Sequence, residues 1–155
     1  MSALLAVHSQ MTDKKKRPRI ALGRVNLVLL RQVMGDDGLT LLTGFVSGRP
    51  VTSCLTYDFH DRSVYMIAAT NDLGRNTCAA YSMVPNLLKH LASKGIKRFD
   101  FGGIDPGNPG AAGVDHFKKG LGGSILESLG EWEFMSSNAA RFLMNFGILK
   151  SGGRV

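Results

Sequence analysis

The residues best suited to chemistry lie in one stretch, Lys97 to Gly123, which reads Lys-Arg-Phe-Asp-Phe-Gly-Gly-Ile-Asp-Pro-Gly-Asn-Pro-Gly-Ala-Ala-Gly-Val-Asp-His-Phe-Lys-Lys-Gly-Leu-Gly-Gly. His116, Asp115 and Asp105 fall within it, and each can take a proton from an attacking group. His116 has the ordinary pKa closest to neutrality, although a histidine beside a phenylalanine also suits a packed or surface position. The glycines give the stretch its second property. Glycine loses more backbone freedom on folding than any other residue, so it is used where backbone approaches another group or turns through conformations closed to side chains. Gly102 and Gly103 follow the aromatic run Phe99 to Phe101 and fit two roles, a strand terminator or a place where substrate backbone comes close. Asp100 alternates with two phenylalanines and is expected to pair with a nearby Lys or Arg. Read from the residues alone, Lys118 and Lys119 are solvated loop lysines. The loop is expected to line the functional site, held by a sheet that everything before it builds.

Size and composition support that division of labour. A chain of 155 residues, 44% hydrophobic and 20% charged, has the make-up of one globular domain. Such a domain buries roughly 70% of its unfolded surface, enough for a core without metal or disulfide staples. No apolar run reaches the ~18 residues that span a bilayer. The apolar start, Met1 to Val7, is short and its charges follow it, which makes a poor signal peptide. Cys54 and Cys78 form no metal or redox spacing, so a reducing cytoplasm is the expected setting. Seven basic residues (Lys14, Lys15, Lys16, Arg17, Arg19, Arg24, Arg31) stand against Asp13 alone in the first 31 positions, while the rest of the chain is nearly neutral. An excess of this kind suits a polyanion such as RNA or a phosphorylated ligand, or equally a solvated end of the domain. No aromatic residues interleave with it, so base-specific recognition is not expected.

The order of elements follows from periodicity and turn residues. Ser2 to Met11 and Asn26 to Met34 read as amphipathic helices. Leu39 to Val46, Val51 to Tyr57 and Val64 to Ala69 read as an antiparallel meander, turned at Ser47-Gly48-Arg49-Pro50 and His60-Asp61-Arg62-Ser63. A helix with Val84, Leu87, Leu88 and Leu91 on one face follows; Pro85 should kink it or mark its regular start. Lys97 to Ile104 is then a strand reached by a helical crossover, and so parallel to the third. Ser124 to Phe134 reads as one or two strands bent at Gly130, and Asn138 caps a last helix to about Phe146. The expected fold class is α/β (α+β): a mixed central sheet with helices on both faces and a cleft where neighbouring strands part. One domain should cover residues 1–150, with a frayed tail over 151–155.

This order resembles the acetyltransferase-like fold of the GNAT superfamily. Phe99-Asp100-Phe101-Gly102-Gly103-Ile104, Gly113-Val114-Asp115-His116-Phe117-Lys118-Lys119-Gly120-Leu121-Gly122-Gly123 and Gly130-Glu131-Trp132 together resemble the second domain of the Fem-type (FemABX) aminoacyltransferases. The stretch from His8 to Lys16 is similar to the start of that domain. Members of that family move amino acids from aminoacyl-tRNA onto peptidoglycan precursors to build interpeptide bridges of the cell wall. The resemblance implies that Lys118 polarises the aminoacyl ester carbonyl and that Phe117 shields the ester from water. Amine attack on an ester builds negative charge on oxygen, and a preorganised cation stabilises it. Gly102, Gly103, Asp105, His116, Lys119 and Arg75 are the candidate substrate-binding residues.

The resemblance also sets expectations about cofactor and partners. Asn71-Asp72-Leu73-Gly74-Arg75-Asn76 occupies the place of the Arg/Gln-x-x-Gly-x-Gly/Ala pyrophosphate loop of coenzyme-A-dependent GNAT enzymes. Gly74 is in register, but Asn71 and Asn76 replace the other key residues, so no cofactor is expected and acyl-CoA is disfavoured; Arg75 remains able to meet a phosphate. Expected partners are aminoacyl-tRNA and a peptidoglycan precursor, with no DNA and no membrane span. Full-length Fem-type members have two such domains, whereas this chain has room for one and begins about where the second would begin. A partner chain supplying the other domain is therefore a further expectation. Competing expectations are an N-acyltransferase using acyl-CoA on a small amine, and a non-catalytic remnant or binding module.

Overall fold

The sheet forms because three consecutive segments rich in β-branched and aromatic residues are separated by turns so short that the chain must reverse. The computed structural model describes residues 2–15, 24–127, 137, 138, 142 and 146. The chain falls into two compact units, Met1–Gly123 and Ser124–Val155. In the first, β1 (Leu39–Val46), β2 (Arg49–Phe59) and β3 (Arg62–Thr70) pair antiparallel, and β4 (Arg98–Asp100) lies parallel on β3, giving the order β1-β2-β3-β4. The first hairpin is tighter than the four-residue turn expected: only Ser47 and Gly48 turn, both at positive φ (48° and 76°), as a type I′ turn requires. Pro50 is already in β2. It is tolerated because it sits opposite Phe45 at a register shift, where the ladder is interrupted.

Helices cover both faces of the sheet, as the alternation of β2 dictates. Helices α1 (Ser2–Lys15) and α2 (Arg24–Met34) bring Leu4 and Leu27 onto Leu55, with Leu39, Leu41 and Ile67 packed around them. On the other face α4 (Ala79–Ser93) sets Met83, Leu87 and Leu91 on Cys54, with Leu42, Tyr65, Ala68 and Phe99 at the margin. Neighbouring residues Cys54 and Leu55 thus serve opposite layers. Burial pushes the Cys54 thiol up to about 11, so it acts as a small apolar group. Within β3 the alternation is broken once: Leu55 faces Ile67 while Thr56 faces Tyr65, leaving Met66 as an extra residue. The α4 face differs from the expected one in a single position. Met83 is buried and Leu88 is 37% exposed. Pro85 lies within the helix, which continues through it.

Two polar devices lock the first unit, and neither is evident in the sequence. Asp58 is buried at the end of β2 and accepts hydrogen bonds from Thr40 Oγ1 (2.6 Å), Thr56 Oγ1 (3.0 Å), Ser63 Oγ (2.7 Å) and Lys94 Nζ (2.5 Å). Lys94 is the C-cap of α4, so this cluster ties the helix to all three antiparallel strands. At the opposite end, a five-residue helix α3 (Asp72–Asn76) opens the crossover to β4, its N-cap Asn71 accepting from Gly74 N at 2.9 Å. Gly74 touches the sheet: a Cβ there would lie 2.4 Å from the Val51 carbonyl oxygen and 2.8 Å from Thr70 Cγ2. Backbone cannot give way as a side chain can. Gly74→Ala should therefore lower stability by about 1–3 kcal/mol, read as a fall in the thermal midpoint by circular dichroism.

In the second unit Ser124–Glu127 carry no regular structure, and the remainder of the strand region expected to Phe134 lies outside the described residues. Of the expected helix from Asn138, only single residues are described, with Phe142 and Phe146 stacked at 6.4 Å between ring centroids. The tail over 151–155 and the basic residues Lys16, Arg17 and Arg19 are likewise outside them. Among the described residues no group of His, Cys, Asp or Glu could hold a metal ion, and no helix is long and apolar enough to cross a membrane.

Candidate active site

The site is built where β4 stops. The strand was expected to run from Lys97 to Ile104 but pairs only over Arg98–Asp100, against Arg62–Val64. Its start is pinned by Lys97 N and Arg98 N, which both donate to Asp61 O at 2.8 and 3.1 Å. Its end is made by Asp100 and Gly102. The Asp100 carboxylate accepts the Gly102 N–H at 2.7 Å, and Gly102 adopts φ +73°, a conformation that disfavours side chains. Asp100 therefore holds a turn, and the cation partner expected for it is not found among the described residues. Beneath the turn, Tyr65, Phe99 and Phe101 form an aromatic cluster with centroids 4.7–6.1 Å apart. Burial, with a smaller push from Cys54, raises the Tyr65 phenol, so its hydroxyl stays protonated.

The loop that follows returns as a helix, α5 (Ala112–Gly120), where the sequence reading placed loop lysines. Val114, Phe117 and Leu121 have the i, i+3, i+7 spacing that signals it, but glycines at both ends mask the period. α5 runs alongside the Gly103–Asp105 segment and is joined to it twice. Lys118 Nζ donates to the Gly103 carbonyl at 2.6 Å, and the Asp115 carboxylate accepts from Asp105 N at 3.2 and 3.3 Å. One turn apart on the helix, Asp115 and Lys118 both face the loop. Phe117 is half-buried and meets Tyr81 of α4 edge-on, with ring centroids 5.0 Å apart at 72°. Tyr81 was not among the expected site residues; only the fold brings it there.

The candidate residues thus separate into distinct groups. Lys118, Gly102, Gly103 and the Asp105 backbone come together, while Phe117 packs on Tyr81. A Cβ at Gly102 would stand 3.7 Å from Lys118 Nζ, whereas one at Gly103 would meet nothing within 4 Å. His116 and Lys119 are exposed on α5. Asp115 is 7% exposed and accepts from Asp105 N, which clamps the loop to the helix. Arg75 stands apart: its guanidinium donates to Thr70 O at 2.6 Å and pairs with Asp72. The N–H of Gly74, which a phosphate would need, is taken by Asn71.

Among the described residues no carboxylate lies within ion-pair distance of Lys118. Its partner among the described residues is a neutral carbonyl, and none of them neutralises the charge. Such a cation, beside an open glycine turn, can stabilise an oxyanion.

The fold is that of acetyltransferases. The aminoglycoside acetyltransferase meta-AAC0020 from an uncultured soil metagenomic sample superposes with a TM-score of 0.62 at 6% identity, over 88% of each chain. The aminoglycoside antibiotic 6'-N-acetyltransferase AAC(6')-Ih from Acinetobacter baumannii gives 0.62 at 11% identity, over 88% of this chain and 92% of that one. A transcriptional regulator from Bacillus halodurans C-125 gives 0.58 at 14%, over 86% and 94%. No curated protein sequence matches. The model of the FemAB family matches residues 47–144, from the first hairpin turn through β4 and all of α5. By that match, over most of its length, the chain belongs to the FemAB family.

Proposed function

We propose that the chain is an aminoacyltransferase, or the catalytic half of one, moving an aminoacyl group from aminoacyl-tRNA to an amine of a peptidoglycan precursor. The observation that carries this reading is Lys118: an ammonium held on the Gly103 carbonyl by a half-buried residue, unpaired with any carboxylate among the described residues, in a FemAB chain. In the reaction, the acceptor amine attacks the ester carbonyl. A C–N bond forms, negative charge gathers on the carbonyl oxygen, and Lys118 meets that charge. The C–O bond then breaks, and the departing tRNA 3′ oxygen takes up the proton that the amine loses. Phe117, backed by Tyr81, keeps water from the ester. We place the protein in the cytoplasm, where charged tRNA is found, with a partner chain completing the precursor site.

The internal occupation of Asn71, Gly74 and Arg75 supports a donor other than acyl-CoA. Calorimetric titration with acetyl-CoA should give no binding heat. The central test follows a labelled aminoacyl group from tRNA to a precursor peptide. Transfer that depends on Lys118 supports the proposal; a protein that neither binds aminoacyl-tRNA nor transfers from it refutes it.

A further inference from the structure

We infer that Asp100 is a positioning residue for Lys118, acting through the backbone of the Gly102–Gly103 turn. This rests on the reading of Lys118 given above and extends it to the group that aims it. Three observations form a continuous chain. The Asp100 carboxylate holds the Gly102 N–H at 2.7 Å. Gly102 sits at φ +73°, a conformation that fixes the direction of the next peptide group. The Gly103 carbonyl, in the peptide group one further along from the one that Gly102 directs, receives Lys118 Nζ at 2.6 Å from fifteen residues away. No other side-chain hydrogen bond of Asp100 is found among the described residues, and its carboxylate makes no ion pair there.

The second clamp makes the effect specific to the lysine. Asp115 holds Asp105 N from the same helix, so α5 stays docked when the Gly102 turn loosens. Loss of Asp100 should free the ammonium head and leave the helix in place. The role needs a hydrogen-bond acceptor, not a charge, and Asp100→Asn retains the acceptor while removing the charge. An electrostatic role would be lost in Asn and Ala alike.

The test is trace reductive methylation of the full chain with formaldehyde and borohydride, resolved residue by residue by mass spectrometry. Exposed Lys119 serves as the internal reference. Lys118 should react slowly in the wild type and in Asp100→Asn. In Asp100→Ala it should react about two- to ten-fold faster, the range one hydrogen bond supports. Gly102→Ala, which strains the same turn, should behave like Asp100→Ala, and unchanged thermal midpoints would exclude a general loss of fold. Equal Lys118 reactivity in wild type and Asp100→Ala overturns the inference, as does an Asn variant that behaves like Ala. Transfer assays separate the two claims: kcat should fall in Asp100→Ala with KM nearly constant, and recover in Asp100→Asn. If Lys118→Ala transfers normally while Asp100→Ala still frees Lys118, the positioning role stands and the proposed reaction falls.

Discussion

Lys118→Ala should slow aminoacyl transfer by about 10²- to 10³-fold, the loss typical of removing one preorganised donor to a developing oxyanion. The effect should fall on kcat, because the charge that Lys118 is proposed to meet exists only in the transition state. Stability should change little. The Nζ bond to the Gly103 carbonyl is one hydrogen bond on a half-buried side chain, worth about 0.5–1.5 kcal/mol net. Asp115 and the Phe117–Tyr81 contact keep α5 docked without it. Lys118→Arg should recover only part of the rate, since a planar guanidinium cannot place its charge where a compact ammonium does. Single-turnover measurements with labelled aminoacyl-tRNA would read both variants, and wild-type rates in Lys118→Ala would remove the residue from the mechanism.

The largest effect on stability should come from Asp58. Its side chain is 4% exposed and paired with Lys94, 31% exposed. Breaking a buried pair by removing one partner costs about 3–5 kcal/mol, and the access of Lys94 to water favours the lower end. Asp58→Ala should therefore lose about 3 kcal/mol, a large share of the 5–15 kcal/mol that holds a typical domain, roughly. Urea unfolding would measure it as a lower midpoint at constant slope. The pH dependence has a definite sign. Burial alone pushes the Asp58 carboxyl up, but the hydrogen bonds from Lys94, Thr40, Ser63 and Thr56 outweigh it and hold the group below the usual carboxylate range. A depressed folded pKa gives stability that is complete above the unfolded value, near pH 4, and lost as pH falls through the folded one. Wild type and Asp58→Ala should converge in acid and stay apart at neutral pH.

How much of this could be read from the sequence depended on how local each signal was. The meander, the α4 stripe and the parallel β3–β4 crossover each follow from a short window of alternation or period, and the structure bears them out within a few residues. The Asp58 cluster could not be read. Asp58 lies between Tyr57 and Phe59 in a strand, and beside its near partners Thr56 and Ser63 it draws on Thr40 and Lys94, 18 and 36 residues away. The Phe117-Lys118 pair stood out by its resemblance to a family motif, but its helix was hidden by flanking glycines. Tyr81 and the turn-holding role of Asp100 depend on contacts that no spacing announces.

The extra residue in β3 carries a consequence for chain length. Tyr65 packs towards α4 and Ile67 towards α1 and α2, with Met66 between them as the bulge. In a regular strand, residues two apart share a side, and these two do not. Removing Met66 would make Tyr65 and Ile67 immediate neighbours, which alternation already places on opposite sides. The sheet would be shorter by one residue, yet every side chain would keep its layer. Removing Ala68 instead would set Ile67 beside Ala69, two residues of the same layer made adjacent, and one of them would have to turn to the wrong side. In β3, then, Met66 is the position at which an insertion or deletion can be absorbed without repacking either core.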